Sequence, residues 1–254
     1  MYRGMISALV SDNLKPAPGI SMLRSVELAG PAGRLEALLN EGAADAHYAA
    51  LVCHPHPLGG GTMHNKIVYH AMKALNAPEW GLCWPVLRFN FRGTGLSQGV
   101  HDGQAETGDV LAALNWLEGQ YNRPIVLVGF SFGAAMALRA CCNTPSGACS
   151  LVRALAALGL PTHVEAGDPD SEPLSLGPQS HDYIYPFLAD CTLPKLFLSG
   201  DRDQFAPAGQ LQQIVAAASE PKRLVLLPGA DHFFAGQLQA MQSTLAGWLK
   251  EQVL

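Results

Sequence analysis

An α/β fold is predicted for this chain: a mostly parallel central sheet of about eight strands, flanked by helices. Two observations predict it. Short apolar runs rich in Val, Leu and Ile alternate along the chain with stretches of helical character. Such runs are the composition of strands buried on both faces, and their alternation with helices is the signature of parallel strands joined by helical crossovers. The second observation is composition. Hydrophobic residues make up 48% of the 254 positions and charged residues 15%, which supplies a substantial core and excludes a disordered chain.

Residues 1–19 read as a leader that ends in Lys15-Pro16-Ala17-Pro18-Gly19. Residues 20–254 read as a single domain, since no repeat, charge run or linker divides them. Strands at 21–28 and 34–39 flank the turn Gly30-Pro31-Ala32-Gly33 and are expected to form an antiparallel hairpin. Further strands are expected at Tyr48–Cys53, Pro85–Asn90, Arg123–Gly129, Val152–Gly159, Lys195–Ser199 and Arg223–Leu227. Helices are expected near 65–76, 105–119, 132–142 and 208–218. The closing helix is the clearest: Phe234, Leu238, Met241, Leu245 and Trp248 recur at four- and three-residue steps, one apolar stripe facing a core.

One stretch departs from the pattern. The segment between Gly159 and Lys195 exceeds the usual length of a connection. It is polar and Pro/Gly-rich from Thr162 to Ser180, then aromatic at Tyr183-Ile184-Tyr185-Pro186-Phe187-Leu188. Residues 160–193 are expected to form a short cap-like excursion.

Charge narrows the function classes. A net charge of −5 with no basic block offers no footprint for nucleic acid or an anionic membrane surface. The apolar run Met5–Val10 is too short for a signal-peptide core or a membrane span. Six cysteines, at 53, 83, 141, 142, 149 and 191, are irregularly spaced and form no C-x-x-C pair. They are expected to be reduced core residues of a cytoplasmic protein.

The chemistry concentrates in Gly129-Phe130-Ser131-Phe132-Gly133. The strand Ile125–Val128 precedes it and the helix-forming Ala134-Ala135-Met136-Ala137-Leu138 follows. In parallel sheets ligands sit at the carboxyl ends of strands, and Ser131 occupies such an end. A serine hydroxyl is a weak nucleophile that needs a base, itself oriented by a third group. Candidates for both follow later strands, in Ser199-Gly200-Asp201-Arg202-Asp203 and in Pro228-Gly229-Ala230-Asp231-His232. Among nine histidines, His232 alone follows a strand and precedes a long amphipathic helix. Asp201 and Asp203 compete for the acid role. Asp231 is a weaker candidate, because side chains adjacent in sequence diverge.

The order Ser, Asp, His, with the G-x-S-x-G turn, resembles the α/β-hydrolase superfamily over roughly residues 47–253. The stretches Cys53-His54-Pro55-His56-Pro57-Leu58-Gly59-Gly60-Gly61-Thr62-Met63 and Phe89-Asn90-Phe91-Arg92-Gly93-Thr94-Gly95-Leu96-Ser97 are similar to small bacterial serine hydrolases and esterases of the dienelactone-hydrolase-like group. The name-giving enzymes of that group use a cysteine nucleophile, whereas position 131 here is serine.

The resemblance implies a catalytic triad. Ser131 at the nucleophile elbow would be the nucleophile and His232 the base. Asp203, the last position of a G-x-x-D turn from Gly200, would be the orienting acid. It implies an oxyanion hole built from the Phe132 backbone N–H and a donor in the loop after the third strand. Pro55 and Pro57 have no N–H, which leaves His56 or Leu58; the resemblance favours His56. Phe130, Tyr183, Tyr185 and Phe187 are expected to wall the substrate pocket, with the aromatic run lying over Ser131.

Neighbouring features receive plainer readings. The H-x-H spacing of His54 and His56 lacks the further ligand pattern that zinc hydrolases need, so neither metal nor cofactor is expected. Asp109 reads as structural, and Arg92-Gly93-Thr94-Gly95 as a tight turn near the pocket. The expected activity is hydrolysis of short-chain carboxylic esters through an acyl-enzyme. A small-molecule ester would be the partner, with no nucleic acid or membrane, and the chain a monomer or homodimer. Thioesterase, peptidase or acyltransferase use of the same triad, or a non-catalytic binding protein of the same fold, are the alternatives.

Overall fold

The computed structural model describes residues 22–143, 149–164 and 181–253. The leader read over 1–19 and residues 165–180 of the excursion lie outside the described residues. Strands β1 (Leu23–Gly30) and β2 (Gly33–Asn40) pair antiparallel from Leu23 opposite Asn40 to Gly30 opposite Gly33. The sheet continues with β3 (Ala49–Cys53), β4 (Val86–Phe89), β5 (Ile125–Phe130) and β6 (Val152–Leu158). A two-stranded antiparallel pair, β7 (His163–Val164) with β8 (His181–Asp182), stands apart from it. Strands β9 (Lys195–Gly200) and β10 (Lys222–Leu227) complete the main sheet.

The spatial order is β1-β2-β4-β3-β5-β6-β9-β10. Beyond the antiparallel pairings of β2 with β1 and β4, the strands run parallel. Each expected strand forms, with ends displaced by at most two residues.

Two apolar cores lie on opposite faces of the sheet, and β5 shows why its sequence reads as a continuous apolar run. Ile125 and Leu127 enter one core, Val126, Val128 and Phe130 the other. The first core is covered by α2 (Glu106–Tyr121), α3 (Phe132–Cys142) and α4 (Ala208–Ala217). Helices α1 (Lys66–Asn76) and α5 (Leu238–Val253) cover the second. Each such Val, Leu or Phe contributes about 1.5–3 kcal/mol by leaving water, so both faces hold β5 rigidly in place.

The last helix begins later than its apolar spacing suggests. Phe234 has φ 50° and lies in a turn before α5, although its ring is fully buried in the second core. The Asp231 carboxylate organises that turn by accepting the N–H groups of Phe233 and Ala235 at 3.0 and 2.9 Å.

The expectation of six reduced cysteines is corrected. Cys142, the last residue of α3, is disulfide-bonded to Cys191, with Cα atoms 5.1 Å apart. The two positions are 49 residues apart in sequence, and only the docking of the excursion against α3 brings them together. Cys53, Cys83, Cys141 and Cys149 are free thiols, the last two with sulfurs 3.1 Å apart. Among the described residues, no helix is long and apolar enough to cross a membrane.

Candidate active site

The parallel register gathers the carboxyl ends of five strands at one edge. Cys53 stands opposite Gly129, Gly129 opposite Ala157, Leu158 opposite Leu198, and Gly200 opposite Leu227. The segments leaving that edge carry His56, Ser131, Gly159, Asp203 and His232.

Ser131 joins β5 directly to α3 with φ 54° and ψ −122°, a left-handed conformation that a side chain adopts only under constraint. The surrounding bonds hold it there. Its N–H donates to Leu158 O at 2.9 Å, and its carbonyl accepts the N–H groups of Ala134 and Ala135 as the first bonds of the helix. Gly133 is required by proximity: a Cβ there would stand 2.5 Å from the carbonyl oxygens of Cys53 and His54. The start of α3 therefore presses directly on the loop after β3. The Phe132 ring lies 4.8 Å from the His56 ring. Ser131 sits at a helix N-terminus, where backbone N–H groups favour negative charge.

His232 follows β10, and its Nδ1 is 3.0 and 2.9 Å from the two carboxylate oxygens of Asp203. Asp203 is nearly fully buried, and every lone pair it turns inward has a partner. Oδ1 accepts the N–H groups of Phe205 and Ala206, and Oδ2 accepts the Ser199 hydroxyl at 2.8 Å. Burial pulls its pKa upward, but the His232 hydrogen bond and charge, the Ser199 hydroxyl and the Phe205 N–H outweigh it, and the carboxyl is held below the usual range. The competing carboxylates point elsewhere. Asp201 accepts the Gly229 N–H at 2.7 Å, and Asp231 closes the turn before α5.

The imidazole of His232 is fixed by rings on three sides. Phe205, Phe130 and Phe233 have centroids 4.7, 5.0 and 5.2 Å from it. At Gly159 (φ 53°) a Cβ would lie 3.1 Å from His232 Cε1, so a bare backbone passes the ring. Since Phe130 immediately precedes Ser131, His232 stands beside the serine's own strand. Among the described residues Ser131 and His232 share no hydrogen bond, a separation common before a substrate tightens a site. Phe205 and Phe233 were not singled out from the sequence. Each follows closely on a candidate residue, Asp203 and His232, and that adjacency is the available signal.

In the loop after β3 the two candidate donors differ. The Leu58 N–H is taken by His56 Nδ1 at 3.2 Å. The backbone N–H groups of His56 and Phe132 make no hydrogen bond among the described residues. His54 is fully committed: Nδ1 pairs with Pro55 O at 2.6 Å and Nε2 accepts the Phe91 N–H at 2.9 Å. Neither nitrogen remains for a metal. Burial lowers its pKa to about 3, as suits a ring held neutral. The Arg92 guanidinium and N–H are bound by Asp109 at 2.7–3.0 Å, which fixes the turn after β4.

The aromatic run sits differently from the expectation of a cover over Ser131. Tyr183 and Tyr185 are 7% and 6% exposed and belong to the first core, with Phe187 packed against it. The Tyr185 hydroxyl donates to Pro161 O at 2.7 Å. The short helical turn Pro186–Ala189 docks on α3 and α4, and this docking draws the rings inward. Among the described residues they make no ring contact with Phe130, Phe132 or His232. Phe205 and Phe233, the latter 50% exposed, stand closer to the His232 ring.

A strained serine between β5 and α3, with a histidine–aspartate pair at the same sheet edge, defines the α/β-hydrolase architecture. The chain belongs to that family: the profile of the alpha/beta hydrolase domain matches residues 49–252. An uncharacterized protein of Rickettsia prowazekii is 33% identical over 230 residues, spanning 87% of this chain and 86% of its own. A Xanthomonas campestris protein described as an α/β serine hydrolase without lid superposes with a TM-score of 0.72 at 29% identity, covering 90% of this chain and 94% of that one. A serine hydrolase homologue from Coxiella burnetii gives 0.70 at 31% identity, covering 89% and 97%.

Proposed function

We propose that the protein is a serine hydrolase of carboxylic esters, with short acyl groups preferred. The observation that carries this reading is the bidentate approach of Asp203 to His232 Nδ1, beside a serine held in strain at the same edge. Ser131 Oγ attacks the ester carbonyl while His232 Nε2 takes its proton. Asp203 fixes the imidazole tautomer and steadies the imidazolium that forms. The oxyanion is received by the N–H groups of Phe132 and His56, the two left unbonded among the described residues. The imidazolium protonates the leaving alcohol, and water, activated by the same histidine, releases the acid. The kinship with proteins described as serine hydrolases supports the reaction class.

A panel of p-nitrophenyl esters tests the substrate range. An added methylene gains about 0.8 kcal/mol by burial, but Phe130, Phe205 and Phe233 crowd the space beside His232, and steric exclusion offsets the gain. Rates should peak between acetyl and butyryl and fall by octanoyl. A maximum at C10–C16, or faster turnover of matched thioesters or anilides, would overturn this reading.

The pH dependence of kcat/KM follows from the same pair. His232 must be neutral to accept a proton, so activity should rise with pH through one ionisation and then level. Asp203 adds no limb to that curve. Its depressed pKa keeps it ionised above the unfolded value of about 3.9, and its contribution to stability is lost only as pH falls through the lower folded value. A profile flat from pH 5 to 8, or one with two ionisations in that range, would count against histidine as the base.

A further inference from the structure

A second histidine–carboxylate pair lies buried against the loop that carries the His56 N–H, and the triad does not use it. His101 Nδ1 is 2.7 Å from Glu106 Oε1. Glu106, in the first turn of α2, has no exposed surface, and its Oε1 also accepts the Asp102 N–H at 3.0 Å. Burial pulls its pKa upward, yet the adjacent His101 imidazole and the Asp102 N–H hold it below the usual range. The His101 ring packs edge-on against His56 at 4.6 Å and against Phe132 at 5.5 Å. These are the two residues whose N–H groups are assigned to the oxyanion.

The protonation pattern follows from donors and acceptors. His56 Nδ1 accepts the Leu58 N–H, so it carries no proton, and the proton of a neutral ring sits on Nε2. Burial and the neighbouring His101 lower the His56 pKa to about 4, which keeps the ring neutral. His101 turns Nδ1 toward the Glu106 carboxylate, so in the neutral ring the proton sits there and Nε2 is a lone pair. His56 Nε2 and both ring nitrogens of His101 are buried without a hydrogen bond, on rings in contact; with both rings neutral, His56 Nε2 is a donor and His101 Nε2 an acceptor.

We propose that Glu106 and His101 are positioning residues for the oxyanion hole, acting through the His56 ring to select which backbone N–H faces the substrate. The chain runs from the Glu106 carboxylate through His101 and His56 to the Leu58 N–H. It holds His56 in the Nε2–H tautomer, which occupies the Leu58 N–H and leaves the His56 N–H for the oxyanion. In the other tautomer the His56 Nδ1–H would meet the Leu58 N–H head-on, and the turn from Pro57 to Gly59 would lose its cap. This inference rests on the esterase reading and deepens it.

The test uses the full chain with His101→Phe, which keeps a ring against His56 and Phe132, and Glu106→Gln, which keeps an acceptor for His101 but removes the charge. With p-nitrophenyl acetate, His101→Phe should lower kcat about 10- to 100-fold, less than the loss of about 10²–10³ when an oxyanion donor itself is removed. KM should change less than threefold, and Glu106→Gln, which keeps an acceptor for His101, should preserve most of the activity that His101→Phe loses. In Ser131→Ala protein carrying 15N-labelled histidine, His56 should be the Nε2–H tautomer and should become a mixture on adding His101→Phe. A kcat loss without that tautomer change, a tautomer change without kcat loss, or an effect confined to KM would overturn the proposal. The NMR arm needs no turnover. If the wild type shows no Ser131-dependent hydrolysis, the esterase reading fails, while an unchanged His56 tautomer in His101→Phe still overturns the relay separately.

Discussion

Ser131→Ala is expected to lower kcat against p-nitrophenyl acetate by about four orders of magnitude or more, leaving only what the oxyanion donors and binding supply. The fold should not change. The Ser131 hydroxyl makes no hydrogen bond among the described residues, and the elbow is held by backbone bonds to Leu158, Ala134 and Ala135. Alanine occupies the same left-handed conformation at no greater steric cost. Unfolding temperature should therefore match the wild type, and labelling by a fluorophosphonate should vanish. Activity surviving at a tenth or more of wild type would remove Ser131 from the mechanism.

Asp203→Asn should cost about 10⁴ in kcat, the magnitude seen when a triad carboxylate becomes an amide. The cause is tautomeric. An amide N–H facing His232 Nδ1 drives the imidazole proton to Nε2, where it blocks proton transfer from Ser131. Asp201→Asn supplies the contrast. Its Oδ1 accepts the Gly229 N–H, a role that an asparagine oxygen fills equally, so its loss should stay within a few-fold. Equal losses at the two positions, or a larger one at Asp201, would reverse the assignment. The pair of variants separates a charge beside the histidine from a bond within the loop.

The sheet and the elbow were legible in the sequence because their causes are local. Buried parallel strands must be continuous apolar runs, and the G-x-S-x-G turn needs small residues where α3 closes on the β3 loop. The choice of Asp203 over Asp201 rests on resemblance and on the tendency of a turn aspartate to bind loop backbone, as Asp201 does with the Gly229 N–H; the tertiary placement of His232 is what distinguishes them. What stayed hidden depends on packing between distant segments. The inward position of Tyr183 and Tyr185 follows from the docking of Pro186–Ala189 on α3 and α4, which no periodicity encodes. The same docking pairs Cys142 with Cys191. Phe234 misled for a simpler reason: its spacing matches the α5 stripe, but its burial is achieved from a turn.

The Cys142–Cys191 bridge also alters the entropy of the chain before it folds. Strand β6 lies between β5 and β9 in the sheet, and it also lies within the covalent ring that the bridge closes. Closing a ring of that span removes roughly 4 kcal/mol of freedom from the denatured ensemble. Leu155 and Lys195, which pair across β6 and β9, are about forty residues apart along the backbone but less than half that by way of the bridge. An oxidised chain therefore meets a lower search cost for the central pairing of its sheet, whereas a reduced chain must close the full loop unaided. Because such bridges persist in oxidising surroundings and open in reducing ones, the surroundings in which the chain is made set how readily this half of the sheet assembles.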